Sequence, residues 1–380
     1  MRILHIHQDF PDGRPFPFTR AVENLINAAK SSSPKHEHFV VSVNRTSNPF
    51  KVSYRCFSNG VSLVYWAIPL PFIYAPLVYC WTRFLRFRLR RKPFDLIHAH
   101  KLTTEGLFAY FYANIVEKKY VVSVRGGSDS KNLQRFWDIE YLFVRIYSQA
   151  SYVFWVSPWN KSSIEKRLGV KNSKSCVFPN ICDIEQIPPE KVIALRKRYC
   201  IVLSYHQFQR KGIIPLLDAI STLRLEGNLI ELDVIGGGPD KFLNIIQEAI
   251  TKRNLAGQVK ILGPLCHLDV LKYLARAKAL LLPALNETFG MVYIEAIASG
   301  APVMFMANTG IDGHFRQEQV GVRIESQDPN CIKEGISFLE ENYEQLNRSV
   351  TNIALSGELE RFSGKYIAKL YFKTVEGIAE

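Results

Sequence analysis

LNETFGMVYIEAIASGAPVMF, running from Leu285 to Phe305, changes its hydrophobic period twice. It opens as a loop that follows the apolar stretch Ala279–Leu285. From Met291 the apolar residues recur at helical period, and Ser299-Gly300 closes the run, glycine being suited to the position just past a helix C-terminus. Ala301-Pro302-Val303-Met304-Phe305 then reads as the next buried strand. Strand, glycine-containing turn, helix and strand together form one unit of an α/β domain with a parallel sheet. Glu287 falls in the loop and Glu295 in the first turns of the helix. Between them Thr288, Phe289, Gly290 and Met291 offer free backbone N–H groups at a helix N-terminus, a ready anion site. A carboxylate one turn in can accept hydrogen bonds from a ribose diol. The arrangement suits a nucleotide diphosphate with a sugar attached.

The same alternation extends along all 380 residues, a length for two domains of ordinary size. A first domain is expected over 1–182, with strands at Arg2–His7, His38–Val43, Ser62–Ala67, Leu96–His100, Val121–Val124, Tyr152–Val156 and Cys176–Phe178. Helical patterns fill the gaps, for example Thr19–Lys30 and Glu105–Glu117. The polar stretch 183–199, with Pro188-Pro189, reads as a linker. A second domain over 200–357 carries strands at Cys200–Ser204, Glu231–Ile235, Val259–Leu262, Ala279–Leu282, Pro302–Phe305 and Gly321–Ile324. Residues 358–380 form a last amphipathic helix. Val61–Trp81 is uncharged and long enough to span a bilayer, but Pro69, Pro71 and Pro76 would break such a helix. It reads as a strand, a proline turn and a helix from about Pro76 to Lys92.

Charge is uneven. Residues 1–180 hold 26 basic and 11 acidic residues, net +15, whereas residues 181–380 hold 22 and 24, net −2. A basic half implies an anionic partner: a membrane, a phosphate-bearing substrate or nucleic acid. Arg83, Arg86 and Arg90 recur at helical spacing among Trp81, Phe84, Leu85, Phe87 and Leu89, the composition of a helix lying on an anionic membrane surface. An ordinary sheet-packing helix with solvated arginines is the competing reading. The seven cysteines are odd in number and form no C-x-x-C pair, which reads as free thiols in a reducing compartment. Cys266-His267 is adjacent, poor geometry for two ligands of one metal, and reads as a surface or core pair. Met1–Ile6 already reads as a buried strand, with no signal-peptide pattern, so a cytoplasmic location is expected.

With its neighbours, the Glu287–Gly290–Glu295 pattern resembles the donor-site signature of glycosyltransferase family 4, retaining enzymes of the GT-B fold. The resemblance covers nearly the whole chain, most specifically Ser204 to Gly310. It implies two Rossmann-like domains with parallel sheets facing a cleft, and a C-terminal helix that crosses back to the N-domain. It implies transfer of a sugar from a UDP- or GDP-sugar to a hydroxyl of a glycan or polyprenyl-linked glycan. It implies no obligatory metal or other cofactor, and no nucleic-acid partner is expected. A basic N-domain would place the protein on the inner face of a membrane.

Residue by residue, the family's first Glu faces the donor sugar and its second binds ribose, which gives Glu287 and Glu295 these roles, with Phe289, Gly290 and Met291 at the helix start. Arg210-Lys211-Gly212 puts two cations where a loop enters a helix, and in the family a basic pair here binds the donor diphosphate. Cations on a departing diphosphate stabilise the transition state, so Lys211, Arg210 and Glu287 are the catalytic candidates. The family's Arg five positions before the Lys is His206 here. Gly236-Gly237-Gly238-Pro239 resembles the glycine-rich turn beside the nucleotide; Lys241 excludes G-x-G-x-x-G. Leu262-Gly263-Pro264-Leu265 ends a strand at the carboxyl edge of the sheet, where the family's backbone contacts the base. On the acceptor side, Asp9–Arg20 resembles the family's first loop, with Gly13 alone of the usual glycine pair and Asp12, Arg14 and Arg20 as candidates. His100, in His98-Ala99-His100, and Asp129, in Arg125–Asp129, join them. Asp129 either orients or deprotonates an acceptor hydroxyl or caps a helix. Asn180 matches a Pro-Asn-Gly turn with Ile181 in place of Gly, and Gly310–His314 departs from the family's Gly-x-Pro-Glu. Two other classes share some of these features. A GT-B epimerase or phosphorylase would use the same phosphate site, and a nucleic-acid binder would explain the charge but not the paired Glu residues.

Overall fold

The computed structural model describes residues 1–14, 19–70, 72–184 and 196–379. Most of the expected linker, 185–195, lies outside them. The chain divides into two compact units, Met1–Ile181 with Gly364–Glu380, and Cys182–Ser363.

The first unit holds β1 (Arg2–His7), β2 (Glu37–Thr46), β3 (Ser53–Phe57), β4 (Gly60–Trp66), β5 (Leu96–Ala99), β6 (Lys119–Val124), β7 (Tyr152–Trp155) and β8 (Ser175–Val177). They form one sheet in the order β3-β4-β2-β1-β5-β6-β7-β8. Every neighbouring pair is parallel except β3 with β4. β3 is the strand that the sequence pattern misses. Its SYRCF sequence is half-exposed and charged, a profile that suits an edge strand and lacks a continuous apolar run. Successive residues of β1 feed opposite faces. Ile3 joins Leu96, Val121 and Phe154 under the helices Ala21–Ser32 and Gly364–Ala379, whereas Leu4 and Ile6 join the larger core under Tyr74–Arg88, Thr104–Val116 and Glu140–Gln149. The last amphipathic segment is not one helix. Glu358–Phe362 is a short 3-10 turn in the second unit, Ser363 is extended, and Gly364–Ala379 packs into the first unit.

The second unit holds β9 (Tyr199–Ser204), β10 (Leu232–Gly237), β11 (Val259–Gly263), β12 (Leu280–Leu281), β13 (Val303–Met306) and β14 (Gly321–Ile324). All pairs are parallel, in the order β11-β10-β9-β12-β13-β14. The chain runs outward from β9 through β10 to β11, then restarts at β12 on the other side. Such a reversal leaves a crevice at the carboxyl ends of the two central strands, where open α/β sheets bind ligands. Among the described residues no helix is long and apolar enough to cross a membrane. Val61–Trp81 instead resolves into β4, a turn and the start of the helix Tyr74–Arg88.

Candidate functional site

The crevice of the second unit is a cavity of about 410 Å³. Ser204, Gln207 and Lys211 reach it from behind β9, Gly236 and Gly237 from the end of β10, and Pro264 and Leu265 from behind β11. Glu287, Gly290, Met291 and Glu295 close it from the segment after β12. Gly290 sits at the N-cap of the helix Met291–Ala298 with φ +71°, and a Cβ there would lie 2.5 Å from the Tyr293 ring. Only glycine makes this turn without moving a buried aromatic whose hydroxyl donates to the Leu282 carbonyl at 2.7 Å. The Glu287 carbonyl is held from the other side by Gly310 N at 2.7 Å and Thr309 Oγ1 at 2.8 Å. The stretch from Glu287 to Glu295 is therefore fixed at both ends.

Lys211 Nζ lies 2.6 Å and Arg210 Nη1 3.1 Å from the same oxygen, Glu287 Oε2. Arg210 Nη2 also donates to Gln207 Oε1 at 2.6 Å. The two cations do not enter a helix, as expected from sequence. They end the short helix Phe208–Lys211, and Gly212, with φ +72°, turns the chain into Ile213–Leu225. Burial would raise the Glu287 carboxyl, but Lys211 and then Arg210 outweigh it and bring the group below the ordinary carboxylate range. Glu295 behaves oppositely. Burial raises its carboxyl, with Asp183 adding to the effect, and the hydrogen bond from His267 Nε2 at 3.1 Å only partly offsets this. Two acids in one cavity thus have opposite environments, one neutralised by cations and one held by an imidazole.

Of the residues expected here, Lys211, Glu287, Gly290, Met291, Glu295 and Gly237 line the cavity. Arg210 stands outside the lining, paired with Glu287. Phe289 does not line it: the ring is buried, with His314 at 5.2 Å and Phe362 at 5.9 Å, and anchors the loop. Gly238, Leu262 and Gly263 lie at the same sheet edge outside the lining. Gly236 and Gly237 are strand, not turn, paired with Leu203 and Ser204. A Cβ on Gly236 would meet the Leu203 carbonyl oxygen at 1.8 Å, so the close backbone approach explains that glycine. Of the expected segment Leu262–Leu265, Pro264 and Leu265 line the cavity; Gln207 and His267 were missed, and their one signal is that each follows a strand end.

The first unit has a comparable edge at the ends of β1 and β5. Arg14 Nε pairs with Asp12 Oδ1 at 2.7 Å, and Gly13 between them is exposed with φ +85°. Arg20 is exposed, 3.9 Å from Glu23. His100 and Asp129 take other parts than expected, since both are fully buried. Asp129 Oδ1 accepts from Leu102 N, Thr103 N and Thr103 Oγ1, and Oδ2 from Arg125 N, so the carboxylate ties two loops together. Burial pushes it up to about 6. Arg125 continues the tie to the His100 carbonyl and to Asn180 Oδ1 at 2.9 Å. Glu105, unforeseen because it opens an apolar helix, is fully buried 3.5 Å from Lys101 and 3.6 Å from His7 Nδ1. Burial would raise Glu105, but Lys101 and His7 hold it down at about 2.

Beside this edge the histidines form a file. His5 Nδ1 meets His100 Nε2 at 3.0 Å and His5 Nε2 meets His38 Nδ1 at 2.9 Å. His98 spans Tyr371 Oη and Ser123 Oγ, at 3.0 and 2.8 Å. Ring nitrogens of His5, His98 and His100 lie within 4.8 Å of one another, close enough to be considered as metal ligands. Both nitrogens of His5 and of His98 are already engaged, which fits a chain of neutral hydrogen-bonded imidazoles.

Residues 186–354 match the family model described as "Glycosyl transferases group 1", and residues 19–186 match "Glycosyltransferase Family 4". An uncharacterized glycosyltransferase of Methanocaldococcus jannaschii is 24% identical over 66% of this chain and 66% of its own length. The phosphatidylinositol N-acetylglucosaminyltransferase gpi3 subunit of Schizosaccharomyces pombe is 21% identical over 69% of this chain and 57% of its own length. The matched part thus spans less than two thirds of each of these relatives. The crystal structure of Anabaena HepE in complex with UDP superposes over 99% of this chain and 100% of its own, with a TM-score of 0.69 at 17% identity.

Proposed function

Since the chain belongs to glycosyltransferase family 4 and has the GT-B fold, we propose that it moves a sugar from a nucleotide-sugar to a hydroxyl of a glycan or lipid-linked glycan at a membrane surface, with retention at the anomeric carbon. The donor half of this reading rests on one observation. Lys211, Glu287, the Gly290 turn and Glu295 share a single cavity at the switch point of the second sheet. Lys211 and Arg210 would neutralise the diphosphate as it leaves, the N–H groups after Gly290 would receive its oxygens, and Glu295 would hold the ribose. Glu287 would face the sugar. With no covalent nucleophile singled out, front-face substitution fits, the departing phosphate helping to remove the acceptor proton. A panel of UDP- and GDP-sugars tests the donor half by thermal stabilisation. The correct donor at 100 times its Kd adds about 2.7 kcal/mol to the stability of the unit that binds it. No shift with any member refutes the donor site.

The membrane half is supported by the outer face of the helix Tyr74–Arg88, which has no acidic residue and exposes Tyr79, Arg83, Phe84, Phe87 and Arg88. Just before it Phe72 is 71% exposed and meets the 62% exposed Trp137, ring to ring at 6.4 Å. Aromatic rings beside arginines that have no carboxylate partner among the described residues suit the headgroup region of a bilayer on the cytoplasmic side. The named activity of the gpi3 relative, on phosphatidylinositol, fits a lipid-borne acceptor. Co-sedimentation with anionic liposomes should be strong at low salt, weaken as salt screens the charge, and drop when Arg83, Arg86 and Arg90 become Ser. Equal recovery in the supernatant with and without liposomes refutes this half alone.

A further inference from the structure

His267 opens the helix His267–Leu274 after β11, and its Nε2 lies 3.1 Å from Glu295 Oε1. Half of the imidazole is exposed while Glu295 keeps only a tenth of its side-chain surface. Cys266, its sequence neighbour, takes no part and donates instead to Asp269 Oδ2. The other titratable groups acting on Glu295 are Asp183 and the buried thiol of Cys182. We propose that His267 is a positioning residue of the donor site, which holds Glu295 in one rotamer so that the carboxylate accepts hydrogen bonds from the vicinal hydroxyls of the donor's ribose. This rests on the donor reading above and adds a residue to it.

Two physical effects make the residue necessary. Burial, with Asp183 nearby, favours the neutral form of Glu295, and a neutral carboxyl is the weaker acceptor by about a factor of two per hydrogen bond. His267 opposes that shift through its hydrogen bond and its charge. The long Glu side chain also has rotamer freedom that a single fixed donor removes. An imidazole carrying its proton on Nε2 donates whether or not it is charged. An amide could supply the donor but not the charge, and an aliphatic side chain could supply neither.

The test is direct binding of UDP and GDP to the full chain, and of the 2′-deoxy form of whichever binds more tightly, between pH 6 and 8.5. His267→Leu should weaken the ribonucleotide about tenfold, the size of one indirect charged hydrogen bond, and weaken the deoxynucleotide much less. The ribose preference therefore collapses. The acid limb of binding moves to higher pH, because Glu295 has lost the group that lowers its carboxyl. His267→Gln should restore most of the ribose preference but leave the acid limb displaced. Equal weakening of both nucleotides, or an unchanged preference with an unmoved acid limb, overturns the role of His267. Failure of the wild-type chain to bind either UDP or GDP overturns the donor site itself, and with it this inference.

Discussion

Acid should unfold the first unit well before it reaches the carboxylates. His5, His7, His38, His98 and His100 are buried, and burial is the largest cause holding each below its ordinary range. His7 and His38 lie at about 4, and the other three well below the usual 6.5. The folded state therefore keeps these rings neutral while the unfolded chain protonates them as pH falls through about 6.5. A lowered histidine destabilises on acidification: stability is lost from about 6.5 downward and, for His7 and His38, stops falling only near 4. One such ring costs on the order of 1 kcal/mol at pH 5.5 and little at pH 7. Together the five rings cost several kcal/mol between those two pH values, and Asp129, raised to about 6, offsets only part of this because the folded state takes up its proton before the unfolded chain does. Glu105, held at about 2, adds its own loss only at lower pH. All five tryptophans, Trp66, Trp81, Trp137, Trp155 and Trp159, belong to this unit, so their fluorescence follows its unfolding and not that of the other. Urea midpoints measured this way should fall steeply from pH 7 to 5.5, and His38→Gln should shallow the fall by about one ring's share. A midpoint that stays constant over that range refutes the neutral histidine file.

Three further outcomes concern the cavity of the second unit. Lys211→Ala should lower kcat/KM by about 10²–10³ with the fold intact, since one preorganised cation at a leaving group is worth that much; unchanged kinetics would move the phosphate site elsewhere. Glu295→Gln should weaken donor binding by roughly 1–3 kcal/mol through a lost charged hydrogen bond, read by titration calorimetry. Glu287→Gln should bind the bare nucleoside diphosphate more tightly than wild type, because Lys211 and Arg210 no longer share their charge with a carboxylate, while turnover falls; weaker diphosphate binding would contradict the pairing.

The α/β class and the succession of parallel strands were legible because buried parallel strands write themselves as short apolar runs between helical patterns. β12 is only Leu280–Leu281, yet the run Ala279–Leu285 announced it. β3 was invisible for the opposite reason: an antiparallel edge strand needs no apolar run, and its partner β4 supplies the register through a tight turn. The break at Ser363 was equally hidden. Periodicity continues smoothly across 358–379, and only the different packing partners of its two halves separate them.

Residue type matched the lining of the second unit's cavity better than the edge of the first unit's sheet, and burial is the reason. Glu287, Glu295 and Lys211 keep polar atoms toward a cavity, so what the chemistry of a Glu or Lys allows is also what its position allows. His100 and Asp129 sit at an equivalent sheet edge, and by type alone would serve as acid–base groups. The fold instead closes over them. Asp129 spends both oxygens on backbone and hydroxyl donors of neighbouring loops, and His100 spends Nε2 on His5. A carboxylate whose oxygens are taken by four donors can orient loops but has no oxygen left to receive a substrate's proton without undoing them. Position along the sequence places a residue at an edge; only the packing around it decides whether it faces a ligand or holds the edge together.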